Sequence, residues 1–251
     1  MILLKSPREL EHMRAAGRIL AEVKALLLKL VKPGVSTKEI DAEVEALILA
    51  RGAASAFKGY RGYPATVCTS INEEVVHGIP SPKRKLKEGD IIGLDLGCIV
   101  EGYYGDCAVT LPVGAVPPRV QELIDVTRES LDKAIVQCRV GNRIGDISHT
   151  VQMHCESHGF GVVRSFVGHG IGRALHEEPQ VPNFGDAGRG PALKAGMVLA
   201  IEPMVTMGAW EVQVLEDGWT AVTTDGSMAA HFEDTIAITE DGPDVLTRAA
   251  V

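Results

Sequence analysis

The sequence has 251 residues, with 25 Lys and Arg against 33 Asp and Glu and a formal net charge of −8, a balance that argues against sequence-independent nucleic-acid binding, DNA included, which needs clustered cations over phosphates. No apolar run reaches the roughly 18 residues that a membrane-spanning helix needs, and the start, MILLKSPRELEHMRAAG, has no apolar core of signal-peptide length. With 45% hydrophobic but only 4% aromatic residues, the chain can bury one large aliphatic core and reads as a single globular α/β domain over 1–251. Cys68, Cys98, Cys107, Cys138 and Cys155 are odd in number and form no CxxC. They read as free thiols in a reducing cytoplasm, with Cys98 and Cys107 as buried small hydrophobes rather than a cross-hairpin pair.

Ser6-Pro7-Arg8-Glu9 predicts a helix start, with Ser6 as cap, proline at the first helical position and an acid in the first turn. Met13, Ala16, Ile19, Leu20, Val23 and Leu27 recur at helical spacing until Pro33-Gly34 ends the run. Ser36 or Thr37 caps a second helix, with Ile40, Val44, Leu47 and Ile48 on one face and Gly52 closing it. A segment rich in Gly and Tyr and a short polar strand follow.

Asp90 to Thr110, DIIGLDLGCIVEGYYGDCAVT, predicts a hairpin of two strands. Ile91, Ile92 and Leu94, then Ala108, Val109 and Leu111, suit a buried sheet, and Glu101-Gly102 lies at the turn. A turn centred near Val100-Glu101 sets Asp95 and Asp106 opposite each other. Like charges so placed repel unless a cation lies between them, so the pair predicts a divalent metal site. Two acids on the wet face of an edge hairpin are the plainer alternative.

The second half repeats this plan. Gly34 and Gly141, Ile40 and Ile147, Val44 and Val151, Gly52 and Gly159, Lys87 and Lys194, Gly89 and Gly196, and Asp95 and Glu202 are each 107 residues apart. The closest local match sets KEGDIIGLD at 87–95 against KAGMVLAIE at 194–202. Two similar α+β halves, approximately 1–112 and 113–251, are expected to be related by a pseudo-twofold, with their sheets joined over one central site that neither closes alone. Glu202 matches Asp95. Glu233 in AHFEDTIAIT is matched to Asp106 in GDCAVT, because each acid opens an apolar strand, and Trp210 to Gly226 forms an extra turn and strand in between. Four carboxylates on a pseudo-axis need about four positive charges, which two divalent ions supply.

Nitrogen donors decide the kind of metal. His169 and His176 lie in the glycine-rich run SFVGHGIGRALHEEPQVPNF, where Gly168 and Gly170 let the backbone approach closely beside His169. One imidazole among four carboxylates favours manganese, iron or cobalt, with zinc also compatible. The run lacks the Lys-Ser/Thr of a P-loop and the spacing of a dinucleotide fingerprint. His154 and His158 lie i, i+4 on the predicted helix matching 37–51, with no carboxylate or cysteine in the pattern, and read, together with His149, as a solvated face. His77, in TSINEEVVHGIP, has no partner in the pattern.

Taken together, YRGYPATVCTSINEEVVHGIP, DIIGLDLGCIVEGYYGDCAVT, SFVGHGIGRALHEEPQVPNF, AIEPMV and HFEDTIAIT resemble the type I methionine aminopeptidases, over residues 60 to 239 and with agreeing flanking helices. The resemblance implies the pita-bread α/β (α+β) fold shared with creatinase and prolidase, with a central curved antiparallel sheet and helices outside. It implies a cytoplasmic, monomeric hydrolase that removes the initiator methionine of nascent polypeptides with two divalent ions (Co, Mn, Fe or Zn). Asp95 and Asp106 would hold one ion. Asp106, His169, Glu202 and Glu233 would hold the other, with Asp106 and Glu233 bridging, and a water shared by the ions would be the nucleophile. Glu202 is implied to assist proton transfer, and His77 and His176 to hydrogen-bond the scissile amide. The substrate's amino group would sit by the Asp95 metal.

The implied methionine pocket is lined by Tyr60, Tyr63, Cys68 and Trp219, soft and aromatic walls that suit a thioether. Phe57 stands where the family often has cysteine and Leu175 where it often has phenylalanine, which bears on the pocket's shape and not on the reaction. The basic run Lys83, Arg84, Lys85, Lys87 is a candidate for transient ribosome association, with a solvated loop as the simpler reading. Two other readings stand beside the leading one. A proline-specific (Xaa-Pro) peptidase of the same fold is disfavoured because its relatives carry a large preceding domain. A non-catalytic peptide-binding relative is disfavoured because all five ligand types are present.

Overall fold

The computed structural model describes residues 1–249. Helix α1 (Pro7–Leu30) begins at a capping box in which Ser6 Oγ accepts from the Glu9 N–H and the Glu9 carboxylate accepts from the Ser6 N–H. Helix α2 (Thr37–Ala50) repeats the device with Ser36 and Glu39. Helices α3 (Pro118–Val136) and α4 (Ile144–Ser157) follow in the second half. Both ends of α4 lie 107 residues after those of α2, so the sequence repeat is a structural one. The corners repeat too, with Gly89 and Gly196 at φ 88° and 89°, a region that strains any side chain.

In the first half, Ile91–Val100 pairs with Tyr103–Pro112 and on its other edge with Val67–Ile71 and Ala54–Ser55. The connecting turn is Glu101-Gly102, both at positive φ, 50° and 79°, as a two-residue type I′ hairpin requires. This corrects the register read from the sequence. Asp95 is opposite Ala108, and Asp106 is opposite Gly97. Because side chains alternate with period two, the two-residue shift leaves both aspartates on one face as diagonal neighbours.

The second half builds the same ladder with a break in it. Val198–Ile201 pairs with Asp234–Thr239, and Met204–Thr206 with Ala229–His231, in one continuous register interrupted at Glu202-Pro203 and Phe232-Glu233. Pro203 has no N–H to give the ladder. Carrying the first hairpin's register across, Ala108 corresponds to Glu233 and Asp106 to His231. The expected match of Glu233 to Asp106 is therefore displaced by two residues. The extra segment is a hairpin, Val212–Val214 with Ala221–Thr223, and it adds to Glu74–Val76 of the first half.

Helices α1 and α2 bury Leu20, Leu27 and Ile48 against Leu94 and Leu96 of the first sheet, and α3 and α4 bury Leu123, Leu131 and Ile147 against Leu199 and Ile236 of the second. The halves are tied by the Ala108–Glu233 bridge and, on the helical side, by Lys24 to Asp234 at 2.9 Å. All five cysteines are buried and unpaired. Among the described residues, no helix is long and apolar enough to cross a membrane.

Candidate metal centre

The inner faces of the two ladders meet at a cavity of about 300 Å³ whose wall includes Asp95, Asp106, His169, Glu202 and Glu233. Asp95 comes from the unbroken strand Ile91–Val100. Asp106 is fixed from the other half, since its N–H donates to Thr235 Oγ1 at 3.0 Å and its carbonyl accepts from the same hydroxyl at 2.8 Å. Glu202 and Glu233 stand at the two interruptions of the second ladder, and the Glu233 backbone bonds there to Ala108 across the seam instead of to its own hairpin.

His169 occupies the middle of Gly168–Gly170, a short strand between Glu177–Val181 and Val198–Ile201. A Cβ on Gly168 would collide with the Ala200 carbonyl and one on Gly170 with the Glu178 carbonyl, so the glycines beside His169 are a packing requirement. His169 Nδ1 lies 2.9 Å from the Gly170 carbonyl, which can only accept. The proton of the neutral ring is therefore on Nδ1, and Nε2 keeps its lone pair. That nitrogen stands 3.6 Å from Glu202 Oε1 and 3.9 Å from Asp106 Oδ2.

Asp106, His169 and Glu233 each offer one donor atom within 4.8 Å of the others. Asp95 Oδ1, Asp106 Oδ1 and Glu233 Oε1 are buried without a hydrogen-bond partner, a condition that native interiors rarely tolerate. Among the described residues, the charge partners within 4 Å of Asp106, Glu202 and Glu233 are imidazoles, with no Lys or Arg. Burial pushes the Asp95 carboxyl up to about 7. Burial, and then repulsion from the other acids, holds Asp106, Glu202 and Glu233 well above the usual range. Burial pushes His169 down to about 4. Converging, orphaned oxygens with the unprotonated nitrogen of His169 suit a divalent metal ion.

The remaining predicted residues complete the cavity wall. Tyr63 and Trp219 meet edge to face, with ring centroids 5.1 Å apart, and the Tyr63 hydroxyl is spent on the Gly78 carbonyl at 2.9 Å. Phe57, Cys68 and Leu175 are buried there. The Tyr60 hydroxyl contacts His176 Nδ1 at 2.8 Å, which leaves Nε2 of that ring for another partner. His77 sits at φ 63° and stacks edge-on against Phe166 at 5.4 Å, and burial pushes it down to about 4. All thirteen residues singled out from the sequence lie on one wall.

Three neighbours escaped the sequence reading. Arg61, at φ 48° between Gly59 and Gly62, belongs to no periodic pattern. Phe166 stands three residues before His169 and was legible as an aromatic beside a ligand loop. His231, two residues before Glu233, has its buried Nε2 3.8 Å from Glu202 Oε2 and 4.0 Å from Glu233 Oε2. Strand alternation was the signal that would have found it.

Elsewhere, His154 does have a carboxylate neighbour, with Nε2 3.2 Å from Glu129 of α3, a partner invisible within one helix's pattern. In the basic run, Arg84 is paired with Glu74 at 2.5 Å, while Lys83, Lys85 and Lys87 are exposed.

Residues 11–240 match the model of metallopeptidase family M24. The chain is 52% identical to a methionine aminopeptidase of Clostridium acetobutylicum, over 98% of this chain and 99% of that one. It superimposes with a TM-score of 0.98 on a methionine aminopeptidase from Thermotoga maritima, at 50% identity and covering 99% and 100% of the two chains. A prolidase from Pyrococcus furiosus, 23% identical, shares the fold at a TM-score of 0.76, with 99% of this chain and 66% of that one covered. With the family's donor types converging on one buried cavity, this chain belongs to metallopeptidase family M24, among its methionine aminopeptidases.

Proposed function

We propose that this chain hydrolyses the peptide bond after an N-terminal methionine, acting as one catalytic unit on the ends of new polypeptides. The observation that carries the reading is the juxtaposition, on one cavity wall, of orphaned buried carboxylates with an apolar, aromatic recess. Asp95 and Asp106 would hold one divalent ion, and Asp106, His169, Glu202 and Glu233 a second, with manganese, iron, cobalt or zinc as candidates. Bound divalent ions supply Lewis-acid polarisation of the scissile carbonyl and lower the pKa of the attacking water.

The chain's own groups do the rest. Phe57, Cys68, Leu175 and Trp219 take up the thioether side chain, whose burial contributes roughly 1.5–3 kcal/mol. A cavity of about 300 Å³ is of a size to take one terminal residue, which supports action at the end of a chain. Glu202 is 14% exposed, against 6% for Asp106 and 3% for Glu233, which supports it as the acid that passes a proton to the leaving amine. His77 and His176, both held neutral by burial, hydrogen-bond the scissile amide and the charge that develops on it. The groups invoked are drawn from both halves of one chain, which supports a single domain working as a monomer.

The test is hydrolysis of Met-Ala-Ser and Ala-Pro-Ser by the protein loaded in turn with manganese, iron, cobalt and zinc. Cleavage of the methionyl peptide alone is expected. Release of alanine from the prolyl peptide, or no activity with any metal, overturns the reading.

A further inference from the structure

His231 is the one imidazole at the centre that no step above uses. It is 2% exposed, is not among the residues lining the cavity, and has a buried Nε2 without a hydrogen-bond partner. That nitrogen faces the two acids of its own half, 3.8 Å from Glu202 Oε2 and 4.0 Å from Glu233 Oε2. The hairpin registers make it the second half's equivalent of Asp106. The backbone contacts carry the same symmetry. Thr235 Oγ1 accepts from the Asp106 N–H and donates to the Asp106 carbonyl, and Thr110 Oγ1 accepts from the His231 N–H at 2.8 Å and donates to the His231 carbonyl at 2.9 Å. Two strands held by matching threonine clasps thus deliver an acid from one side and an imidazole from the other.

We propose that His231 is a positioning residue of this centre: its Nε2–H donates to the Glu202 carboxylate and holds it in the one orientation that serves both metal binding and proton transfer. The inference rests on the two-metal reading above. Glu202 is the nearer acid, and among the described residues its carboxylate has no other hydrogen-bond donor. Less than about 1 Å of side-chain movement brings the 3.8 Å separation to hydrogen-bond length. A ligating carboxylate is normally fixed by such an outer donor, because a free one rotates and spreads its lone pairs over several directions.

The test uses the full-length chain and three substitutions. His231→Gln can place an amide N–H near the Nε2 position, His231→Asn falls a bond short, and His231→Leu fills the space without a donor. Manganese affinity by calorimetry, kcat and KM on Met-Ala-Ser, and pulsed EPR of the manganese-loaded protein are measured together. The Asn and Leu variants should lose about 10- to 100-fold in manganese affinity or kcat, with KM within about threefold. The Gln variant should recover most of that loss, and every variant should keep one coupled imidazole nitrogen, that of His169.

A Leu variant with wild-type metal affinity and kcat overturns the proposal. So does a second coupled nitrogen that disappears in His231→Gln, because His231 would then be a direct ligand. Should the Leu variant fail to melt cooperatively, the smaller and polar Asn variant decides by the same criteria. Wild-type protein that neither binds manganese nor cleaves the peptide overturns the functional reading instead, so the two failures are separable.

Discussion

Ala108 and Glu233 exchange a reciprocal pair of backbone hydrogen bonds, at 3.2 and 3.0 Å, across the seam between the halves. The hairpin registers make them equivalents, so this bridge marks the pseudo-twofold axis. Glu233 therefore projects its carboxylate from the axis itself, flanked by Asp106 on one side and His231 on the other.

On the proposed assignment, metal ligands and substrate-binding groups are distinct sets that respond differently to substitution. Asp106→Ala should bind at least about tenfold less metal and lose turnover with it. His77→Ala should lose about 10²-fold or more in kcat while keeping its metal content. Metal analysis after gel filtration, paired with peptide kinetics, checks both. Equal metal loss in the two variants would reassign His77 to the metal.

The strand carrying His169 tolerates no side chain beside it. Gly170→Ala forces a Cβ into the Glu178 carbonyl, an overpacking that costs about 1–3 kcal/mol. At roughly 2–4 °C per kcal/mol for a chain of this size, the melting temperature should fall by about 2–12 °C, and metal affinity should fall with it as His169 shifts. Differential scanning calorimetry with and without metal reads both effects.

The buried acids also set a pH dependence. Without metal, burial pushes Asp95 up to about 7 in the folded chain against 3.8 unfolded, and burial with mutual repulsion holds Asp106, Glu202 and Glu233 well above their usual range. The folded state thus holds protons that the unfolded chain has released, so this stability is full below the unfolded values and is lost as pH rises through the folded ones. His77 and His169, lowered to about 4 from 6.5, act in the opposite sense, and only below 6.5. Chelated protein should therefore lose roughly 5 °C or more in melting temperature between pH 6.5 and 8, while metal-loaded protein changes little. Asp95→Asn should flatten that fall, melt higher than wild type when chelated at pH 8, and bind metal poorly.

The loop carrying Trp219 is organised by Asp217, whose carboxylate accepts from the Trp219 and Thr220 N–H groups and from the Thr220 hydroxyl. Trp219→Ala should raise KM for Met-Ala-Ser about tenfold, equivalent to about 1.4 kcal/mol of lost binding. Asp217→Ala should raise it by a smaller factor, with kcat close to wild type in both. A fall in kcat alone would place the loop in the chemistry rather than in the pocket.

Much of this was legible in the sequence, for identifiable reasons. Helix caps are local chemistry, so Ser6-Pro7-Arg8-Glu9 and Ser36 with Glu39 announce their helices without tertiary help. The 107-residue repeat held through the start of Val198–Ile201 because no insertion precedes it. Beyond Glu202 the offset changes, since the inserted hairpin lengthens the connection and the ladder is broken on both sides. Sequence pattern alone therefore aligns Glu233 with Asp106 instead of Ala108 and gives His231 no counterpart. The first hairpin's register depended on Glu101 accepting a positive φ, which composition alone does not dictate.

The hairpin from Val212 to Thr223 has no counterpart in the first half, yet it crosses over to pair with Glu74–Val76 and brings Trp219 to the cavity. One wall of the proposed recess thus stands on an insertion, whereas Phe57, Cys68 and Leu175 belong to the repeated frame that carries the acids. A change in the length or side chains of that flap would reshape this one wall while leaving the strands that carry the acids in place.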